Sequence, residues 1–137
     1  MTARLAHVCI ETSDLEATER FYAALGLRRQ FEFRNKQNAL VGFYLKFDDQ
    51  SYIEVIKTSA PKGDGIVRHF AIEVDDVDAV GSRLVSSGYE HTDKVRAGDC
   101  NWMITCTDPN GIFIEVQQYT DESLQLAGGV CEVDYEP

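Results

Sequence analysis

The chain contains one segment twice, and this repeat limits its possible folds more than any other feature. Residues 7–11 read His-Val-Cys-Ile-Glu, and residues 69–73, 62 positions later, read His-Phe-Ala-Ile-Glu. The same offset aligns Asp14 with Asp76. Solenoids and propellers need at least three shorter repeats to bury a core. Two copies of about 60 residues therefore indicate a duplicated supersecondary module.

Each copy has the pattern of one helix among four strands. In the first copy, residues 5–11 alternate like a half-buried strand, and apolar residues of 15–25 share one helical face. Asp14 offers an N-cap oxygen to that helix, and either Asp75 or Asp76 caps the second helix. The remaining predicted elements are strands at 27–33, 40–47 and 52–57 in the first copy, and a strand at 68–74, a helix at 77–86 and strands at 89–95, 101–106 and 111–118 in the second.

Two βαβββ modules that share one core are the predicted organisation. The 137 residues, 44% of them hydrophobic, are enough for one domain with a sizeable core. Pro and Gly mark a linker between the copies, and regular patterning ends after residue 119. The predicted parts are the first module at 1–60, the linker at 61–65, the second module at 66–119 and a peripheral C-terminal tail at 120–137.

The charge distribution limits the partners. The formal net charge is −10, and residues 97–137 contain eight Asp or Glu and no Lys or Arg. A negative field repels phosphate backbones, so the expected partner is a small molecule and not a nucleic acid. No apolar run reaches the roughly 18 to 20 residues of a membrane span, and the N-terminus lacks the apolar region of a signal peptide. We therefore expect a cytoplasmic protein with no membrane partner.

The four cysteines do not have the spacing of a structural site. No Cys-x-x-Cys pair is present, so the sequence favours neither a zinc knuckle nor a thioredoxin-type site. A disulfide framework is atypical of a chain with this length and apolar content. We expect free, mostly buried thiols at Cys9, Cys100, Cys106 and Cys131.

Two histidines and two glutamates occupy matching positions in the modules. Glu54 follows His7 by 47 residues, and Glu115 follows His69 by 46. Because side chains alternate along a strand, ligands on the first and last strands of each module can point to one concave face. Two imidazoles and two carboxylates suit Zn²⁺, Ni²⁺, Co²⁺, Mn²⁺ or Fe²⁺. The sequence predicts a divalent metal site here, and the alternative is that both glutamates face solvent on an outer sheet surface.

Other polar side chains near these positions have simpler interpretations. Glu11 and Glu73 share the strand parity of the histidines, and we interpret them as solvated acids at strand ends. Cys9 lies on the same strand face as the first histidine, and we expect it to be a small apolar filler. His91 has no counterpart in the first module, which favours a position in a surface loop.

These features resemble the vicinal oxygen chelate superfamily, which includes glyoxalase I, methylmalonyl-CoA epimerase, extradiol dioxygenases, and the fosfomycin and bleomycin resistance proteins. The resemblance covers roughly residues 4–119. It rests on the doubled His-bearing strand, the Asp-capped helices, Tyr-Ala-Ala-Leu-Gly at residues 22–26 and Asp-Pro-Asn-Gly at residues 108–111. It implies an α+β fold in which two tandem βαβββ modules form a curved mixed sheet, and it implies a homodimer.

Within that superfamily, the order His, Glu, His, Glu is most similar to glyoxalase I, the lactoylglutathione lyase. The resemblance implies a divalent-metal-dependent lyase or isomerase that removes a proton α to a carbonyl and forms a metal-bound enediolate. Glu54 or Glu115 would be the base. Bacterial glyoxalase I has Arg four residues after its first His and Asn four residues after its first Glu. Here these positions hold Glu11 and Thr58, so the substrate and the thiol cofactor stay open.

The resemblance also leaves alternatives. A methylmalonyl-CoA epimerase-like enzyme would use similar chemistry, although that family usually has Gln at the position of Glu54. Dioxygenases and fosfomycin-modifying enzymes use two His and one Glu, which the fourth ligand disfavours. A protein similar to the bleomycin resistance proteins would bind a small molecule without metal. The sequence does not decide whether the first His–Glu pair meets the second in its own chain or in a partner chain.

Overall fold

A four-stranded mixed sheet with a helix on one face occurs in each half of the chain. The computed structural model describes residues 5–60, 67, 69–131 and 133. It divides the chain into unit 1, Met1–Ile66 with Asp108–Gly111, and unit 2, Val67–Thr107 with Ile112–Pro137. The order of elements confirms the predicted βαβββ arrangement of both modules. The predicted linker at 61–65 lies outside the described residues.

Unit 1 has the strand order β1-β4-β3-β2, with β1 parallel to β4 and the other neighbours antiparallel. Its elements are β1 (His7–Thr12), α1 (Leu15–Ala24), β2 (Arg28–Arg34), β3 (Leu40–Lys46) and β4 (Tyr52–Lys57). One sheet face packs on α1. The fully or almost fully buried side chains there are Ile10, Phe21, Tyr22, Phe43, Leu45, Ile53 and Val55.

Unit 2 repeats this topology with the order β5-β8-β7-β6, in which β5 is parallel to β8. Its elements are β5 (His69–Glu73), α2 (Val77–Ser86), β6 (Val95–Arg96), β7 (Trp102–Thr107), β8 (Phe113–Gln118) and α3 (Leu124–Ala127). The core again contains one sheet face and one face of a helix. Its buried apolar side chains include Ile72, Val77, Val80, Leu84, Ile104, Ile114 and Val116.

The two main helices begin and end as their sequences predict. The Asp14 carboxylate accepts a hydrogen bond from the Ala17 N–H at the start of α1. At α2 the N-cap is Asp76, whose carboxylate accepts hydrogen bonds from the N–H groups of Asp78 and Ala79. Gly26 and Gly88 follow the helices with φ of 93° and 88°, a conformation that glycine adopts without steric cost.

The Asp-Pro-Asn-Gly turn at residues 108–111 is held in unit 1 by side chains of β1 and α1. The Tyr22 hydroxyl donates to the buried Asp108 carboxylate at 3.0 Å. The Asn110 side-chain amide donates to the Thr18 hydroxyl at 3.0 Å, and its oxygen accepts from the Thr12 hydroxyl at 2.6 Å. A segment distant in sequence is thereby fastened to the first helix.

The prediction of a strand at 89–95 is wrong for most of those residues, because β6 contains only Val95 and Arg96. Thr92 explains the difference. Its N–H donates to the carbonyl oxygen of Thr105, but its hydroxyl oxygen, and not its carbonyl, accepts the Thr105 N–H. A side chain therefore takes the place of a backbone acceptor, and the regular ladder stops there.

The cysteines and the C-terminal segment also differ from expectation. The expectation of mostly buried thiols is wrong, because Cys106 is buried and Cys100 half-buried, while Cys9 and Cys131 are exposed. The predicted peripheral tail contains the short helix α3, which is preceded by the fully buried Ser123. The hydroxyl of that serine supplies hydrogen bonds inside unit 2, which sequence patterning does not reveal.

None of the helices in the described part of the chain has the length and apolar character needed to cross a membrane.

Candidate metal site

The first His–Glu pair lies on the face of the unit 1 sheet opposite α1. His7 begins β1, and the parallel register makes Cys9 the neighbour of Glu54 on β4. Because His7 lies two residues before Cys9, its side chain is on the same sheet face as that of Glu54. His7 Nε2 is 3.1 Å from Glu54 Oε2. The side chains are 40% and 21% exposed, so the pair is open to solvent on one side.

Tyr44 supports this pair from the neighbouring strand. It is the register partner of Glu54 across the β3–β4 ladder, and its hydroxyl donates to Glu54 Oε2 at 3.1 Å. Its ring lies 5.4 Å from the His7 ring. Burial raises the pKa of the Tyr44 hydroxyl, and the hydrogen bond to Glu54 raises it further. The phenol therefore keeps its proton at neutral pH and remains a donor.

The second pair has the equivalent place in unit 2. His69 on β5 and Glu115 on β8 share a sheet face, and His69 Nε2 is 3.6 Å from Glu115 Oε1. Their side chains are 44% and 22% exposed. The Gln117 amide donates to the other carboxylate oxygen, Oε2, at 2.9 Å. The Phe113 ring stands edge-on to the His69 ring, with centroids 6.1 Å apart.

The donor chemistry of each pair fits a divalent transition metal. An imidazole nitrogen and a carboxylate oxygen lie close together on a partly exposed face, and each carboxylate accepts a hydrogen bond from one further side chain. Within residues 5–60, 67, 69–131 and 133, no three or more His, Cys, Asp or Glu side chains group as metal ligands. Each pair would supply two ligands to a bound ion and would leave further coordination positions to other groups.

The other candidates from the sequence lie as follows. Cys9 is exposed on the ligand face, so the prediction of an apolar filler is wrong. Partial desolvation by its neighbours raises the pKa of its thiol, and the nearby Glu54 and Glu11 carboxylates raise it further. Glu73 is exposed at the end of β5, as expected of a solvated acid, whereas Glu11 is half-buried.

His91 packs against α2 and lies away from both His–Glu pairs in sequence. It lies in the irregular segment before β6, where its Nδ1–H donates to the Thr92 carbonyl oxygen at 2.7 Å. Its ring packs on α2 at Gly81, where a side chain would meet Nε2 at 2.9 Å. The small residue in the helix makes room for the ring. His91 is therefore a suitable control for the two candidate ligands.

An aromatic cluster extends from the first pair across the ligand face of unit 1. Phe31 stacks on Tyr44 with centroids 4.3 Å apart, and Phe33 and Tyr52 each lie 5.7 Å from the same ring. Phe31 is 46% exposed. The His7–Glu54 pair therefore borders a partly exposed apolar wall that can receive the apolar part of a small molecule.

A cavity of about 500 Å³ lies in unit 2 beside β7. It is lined by residues 88–92 and 105–107 and by Phe113, the ring in contact with His69. The lining combines threonine hydroxyls with an aromatic side chain. This cavity reaches the second pair only through Phe113, since neither His69 nor Glu115 lines it.

Tyr44 and Gln117 are the functional candidates that the sequence did not reveal. Gln117 lies two residues after Glu115, so strand parity places both on one face and gives a usable signal. Tyr44 is ten residues before Glu54, and only the pairing register of β3 with β4 shows that they are neighbours. No periodicity within a single strand contains that information.

The doubled module with one His–Glu pair per sheet defines a class of proteins built from paired βαβββ units. The family profile of the Glyoxalase/Bleomycin resistance protein/Dioxygenase superfamily matches residues 4–116. The chain belongs to this superfamily, the vicinal oxygen chelate proteins, whose members include enzymes and non-enzymatic resistance proteins and often form dimers.

Solved structures share the fold. A glyoxalase family protein from Enterococcus faecalis is 25% identical, with a TM-score of 0.65 over 83% of this chain and 96% of that chain. SMU.1112c is 22% identical, with a TM-score of 0.70 over 85% and 99%. A glyoxalase/bleomycin resistance protein from Catenulispora acidiphila is 17% identical, with a TM-score of 0.64 over 86% and 100%. No curated protein matches the chain significantly.

Proposed function

We propose that the protein is a divalent-metal-dependent lyase or isomerase of the glyoxalase I kind, which acts on a small carbonyl compound. The proposed ligands are His7, Glu54, His69 and Glu115. The observation that carries the proposal is the doubled pair: each module brings its His and Glu to within 3.1 Å or 3.6 Å of one another, on a partly exposed sheet face.

The chemistry assigned to the chain is a proton transfer between adjacent carbons. When bound, a divalent ion supplies Lewis-acid stabilisation of the negative charge that develops on the substrate oxygen. The carboxylate of Glu54 or Glu115 accepts the proton from the carbon next to the carbonyl and returns it to the neighbouring carbon. Tyr44 and Gln117 orient these carboxylates by donating to one oxygen of each.

The substrate side of the proposal follows from the ligand face of unit 1. Glu11 shares the strand face of His7, and its negative charge opposes the carboxylates of a glutathione-like thiol. The aromatic cluster at Phe31 and Tyr44 favours an apolar group near the pair. We therefore propose a hemithioacetal or related carbonyl substrate whose thiol part carries fewer carboxylates than glutathione.

The direct test is turnover by the metal-loaded protein. Methylglyoxal would be combined with a panel of neutral, cationic and acidic thiols, and acyl-CoA thioesters would be assayed for racemisation in parallel. We expect product from at least one hemithioacetal with Ni²⁺, Co²⁺, Mn²⁺ or Zn²⁺, and loss of activity in Glu54→Gln or Glu115→Gln. His91→Ala is the matched control. Racemisation alone would support an epimerase, and no product from any glyoxal-derived hemithioacetal would refute the lyase assignment.

A metal-free binding protein, similar to the bleomycin resistance proteins, is the second candidate. The aromatic cluster of Phe31, Phe33, Tyr44 and Tyr52 favours it, because stacked rings can hold a planar ligand without a metal. Fluorescence titration of chelator-treated protein with planar aromatic compounds separates the two candidates. Equal affinity before and after chelation, without turnover, would favour the binding protein.

We further propose a homodimer, and mixing variants tests how its sites are formed. His7→Ala and His69→Ala would each lose activity. If the two pairs of one site come from different chains, the mixed dimer regains one intact site and part of the activity. If both pairs come from one chain, the mixture stays inactive. Sedimentation of the unmixed protein checks for the dimer itself.

A further inference from the structure

We propose that Ser123, Asn101 and Gln117 form a directed hydrogen-bond relay that positions Glu115, so that the turn after β8 is part of the metal site. This inference rests on the proposed role of Glu115 as a ligand. It assigns a function to the C-terminal segment, which the sequence marks only as peripheral. The three relay residues touch one another or Glu115, and they act on the metal only through that carboxylate.

The relay can be followed atom by atom through unit 2. The Thr120 N–H donates to Ser123 Oγ at 2.7 Å, and the Ser123 hydroxyl donates to Asn101 Oδ1. Asn101 Nδ2 donates to Gln117 Oε1 at 3.3 Å. Gln117 Nε2 then donates to Glu115 Oε2 at 2.9 Å. Four successive hydrogen bonds thus connect a backbone amide in the turn to the candidate ligand.

The direction of the relay is fixed by a carboxylate on each side. The Asp99 carboxylate accepts and does not donate, so the Asn101 amide turns its NH₂ towards Asp99 and Gln117 and its oxygen towards Ser123. The Ser123 hydroxyl donates its proton to that oxygen. The Glu115 carboxylate likewise accepts, and Gln117 meets it with its NH₂ while its own oxygen faces Asn101.

Burial makes the orientation costly to change. Ser123 and Asn101 are fully buried and Gln117 is 7% exposed, so water cannot replace a lost partner easily. Asn101 Nδ2 also donates to Asp99 Oδ2 at 3.0 Å, and the Asp99 carbonyl accepts the Leu124 N–H at 3.0 Å. The turn and the loop before β7 are therefore fastened together at the same point.

No equivalent of this relay is present among residues 5–60, the described part of the first module. The residue two positions after Glu54 is Ile56, where the second module has Gln117, and Glu54 accepts its hydrogen bond from Tyr44 instead. In unit 2, Gln117 contacts Oε2 of Glu115 while Oε1 faces His69 at 3.6 Å. The relay therefore holds one oxygen and leaves the other directed at the position of the proposed metal.

The test measures metal binding by the full-length protein and does not depend on turnover. Gln117→Met keeps the side-chain length and removes the donor to Glu115, and Ser123→Ala removes the donor to Asn101 Oδ1. Calorimetric titration with Co²⁺ should show affinity about 10- to 100-fold weaker for Gln117→Met. Ser123→Ala should weaken binding in the same direction by a smaller factor. The visible absorption spectrum of the bound Co²⁺ should change in both variants.

A double variant separates positioning from a general loss of structure. Because both residues act through Glu115, Gln117→Met with Ser123→Ala should bind Co²⁺ no more weakly than Gln117→Met alone. Gln30→Met, the same substitution at an exposed position of β2, is the matched control and should bind as the wild type does. Thermal unfolding of the metal-free proteins identifies any variant that does not fold, and the remaining single variant then carries the test.

The outcomes distinguish the relay from the proposed function. If Gln117→Met binds Co²⁺ with the affinity and the absorption spectrum of the wild type, the relay is refuted while the metal site stands. Additive losses in the double variant would also refute it, because the turn would then act by another route. Failure of the wild-type protein itself to bind Co²⁺ would refute the proposed function, and the relay with it.

Discussion

Tyr44 and Glu54 are joined across the β3–β4 ladder by a hydrogen bond of 3.1 Å, whereas Glu115 accepts its hydrogen bond from Gln117, a neighbour on its own strand. The duplicated module thus preserves the His and Glu positions but not the groups that hold the carboxylates. A phenol whose pKa is raised remains a donor at neutral pH, as an amide does. The two halves reach the same local arrangement by different side chains.

Removal of the Tyr44 hydroxyl should weaken metal binding. Tyr44→Phe keeps the ring contacts with Phe31 and His7 but removes the donor to Glu54. Loss of such a supporting hydrogen bond typically costs about 10-fold or more in metal affinity. Calorimetric titration with Ni²⁺ measures it, with Tyr52→Phe as the control in the same cluster. Equal affinities for Tyr44→Phe and wild type would show that the hydrogen bond does not support a ligand.

The two adjacent acids before α2 should differ sharply in their effect on stability. Asp76 accepts two N–H groups at the helix start, and its replacement by Ala should lower the free energy of unfolding by about 1 kcal/mol. Asp75, which is exposed and precedes the cap, is the matched control. Urea unfolding of Asp76→Ala and Asp75→Ala gives the comparison. Similar losses in both would mean that helix capping is not the cause.

The hydrogen bond between Tyr22 and Asp108 should stabilise unit 1. Both side chains are buried, and Tyr22→Phe removes one donor from a carboxylate that has little access to water. We expect the free energy of unfolding to fall by about 1 to 3 kcal/mol. Tyr52→Phe, at a half-exposed ring, should change it much less. A Tyr22→Phe protein as stable as the wild type would contradict the importance of this contact.

The pKa of the Asp49 carboxyl should depend on Ser51. The hydroxyl and the N–H of Ser51 both donate to Asp49 Oδ1, and these bonds hold the pKa of the carboxyl below its usual value. Because the folded-state pKa is lowered, this contribution to stability is present above the unfolded-state pKa and is lost as pH falls through the folded-state value. Ser51→Ala should raise the pKa partway, as measured by NMR titration. An unchanged pKa would exclude the hydroxyl as a cause, and Ser59→Ala is the control.

Much of the fold was predictable because the signals are local. Strand alternation and the capping acids predicted the βαβββ order that each module has. The strand at 89–95 was not predictable from alternation, since the Thr92 side chain replaces a backbone acceptor. The order around Ser123 depends on Asn101, a residue more than twenty positions earlier. Contacts between distant segments are the kind of information that periodicity does not contain.

The candidate site shows the same division. Strand parity and the repeat predicted that each His lies near its Glu, and the distances of 3.1 Å and 3.6 Å agree. Tyr44 depends on the register between strands, and the exposure of Cys9 depends on which face the helix covers. The sequence therefore indicates the His–Glu pairing better than the groups that orient the carboxylates.

The most direct test of the proposed four-ligand site is the metal stoichiometry of the purified protein after loading and removal of excess ion. We predict one divalent ion per chain, with binding lost in His7→Ala and in His69→Ala and retained in His91→Ala. Elemental analysis of the four proteins, each checked for folding by circular dichroism, gives the answer. No bound metal in the wild type, or one ion per chain in all three folded variants, would contradict the four-ligand site.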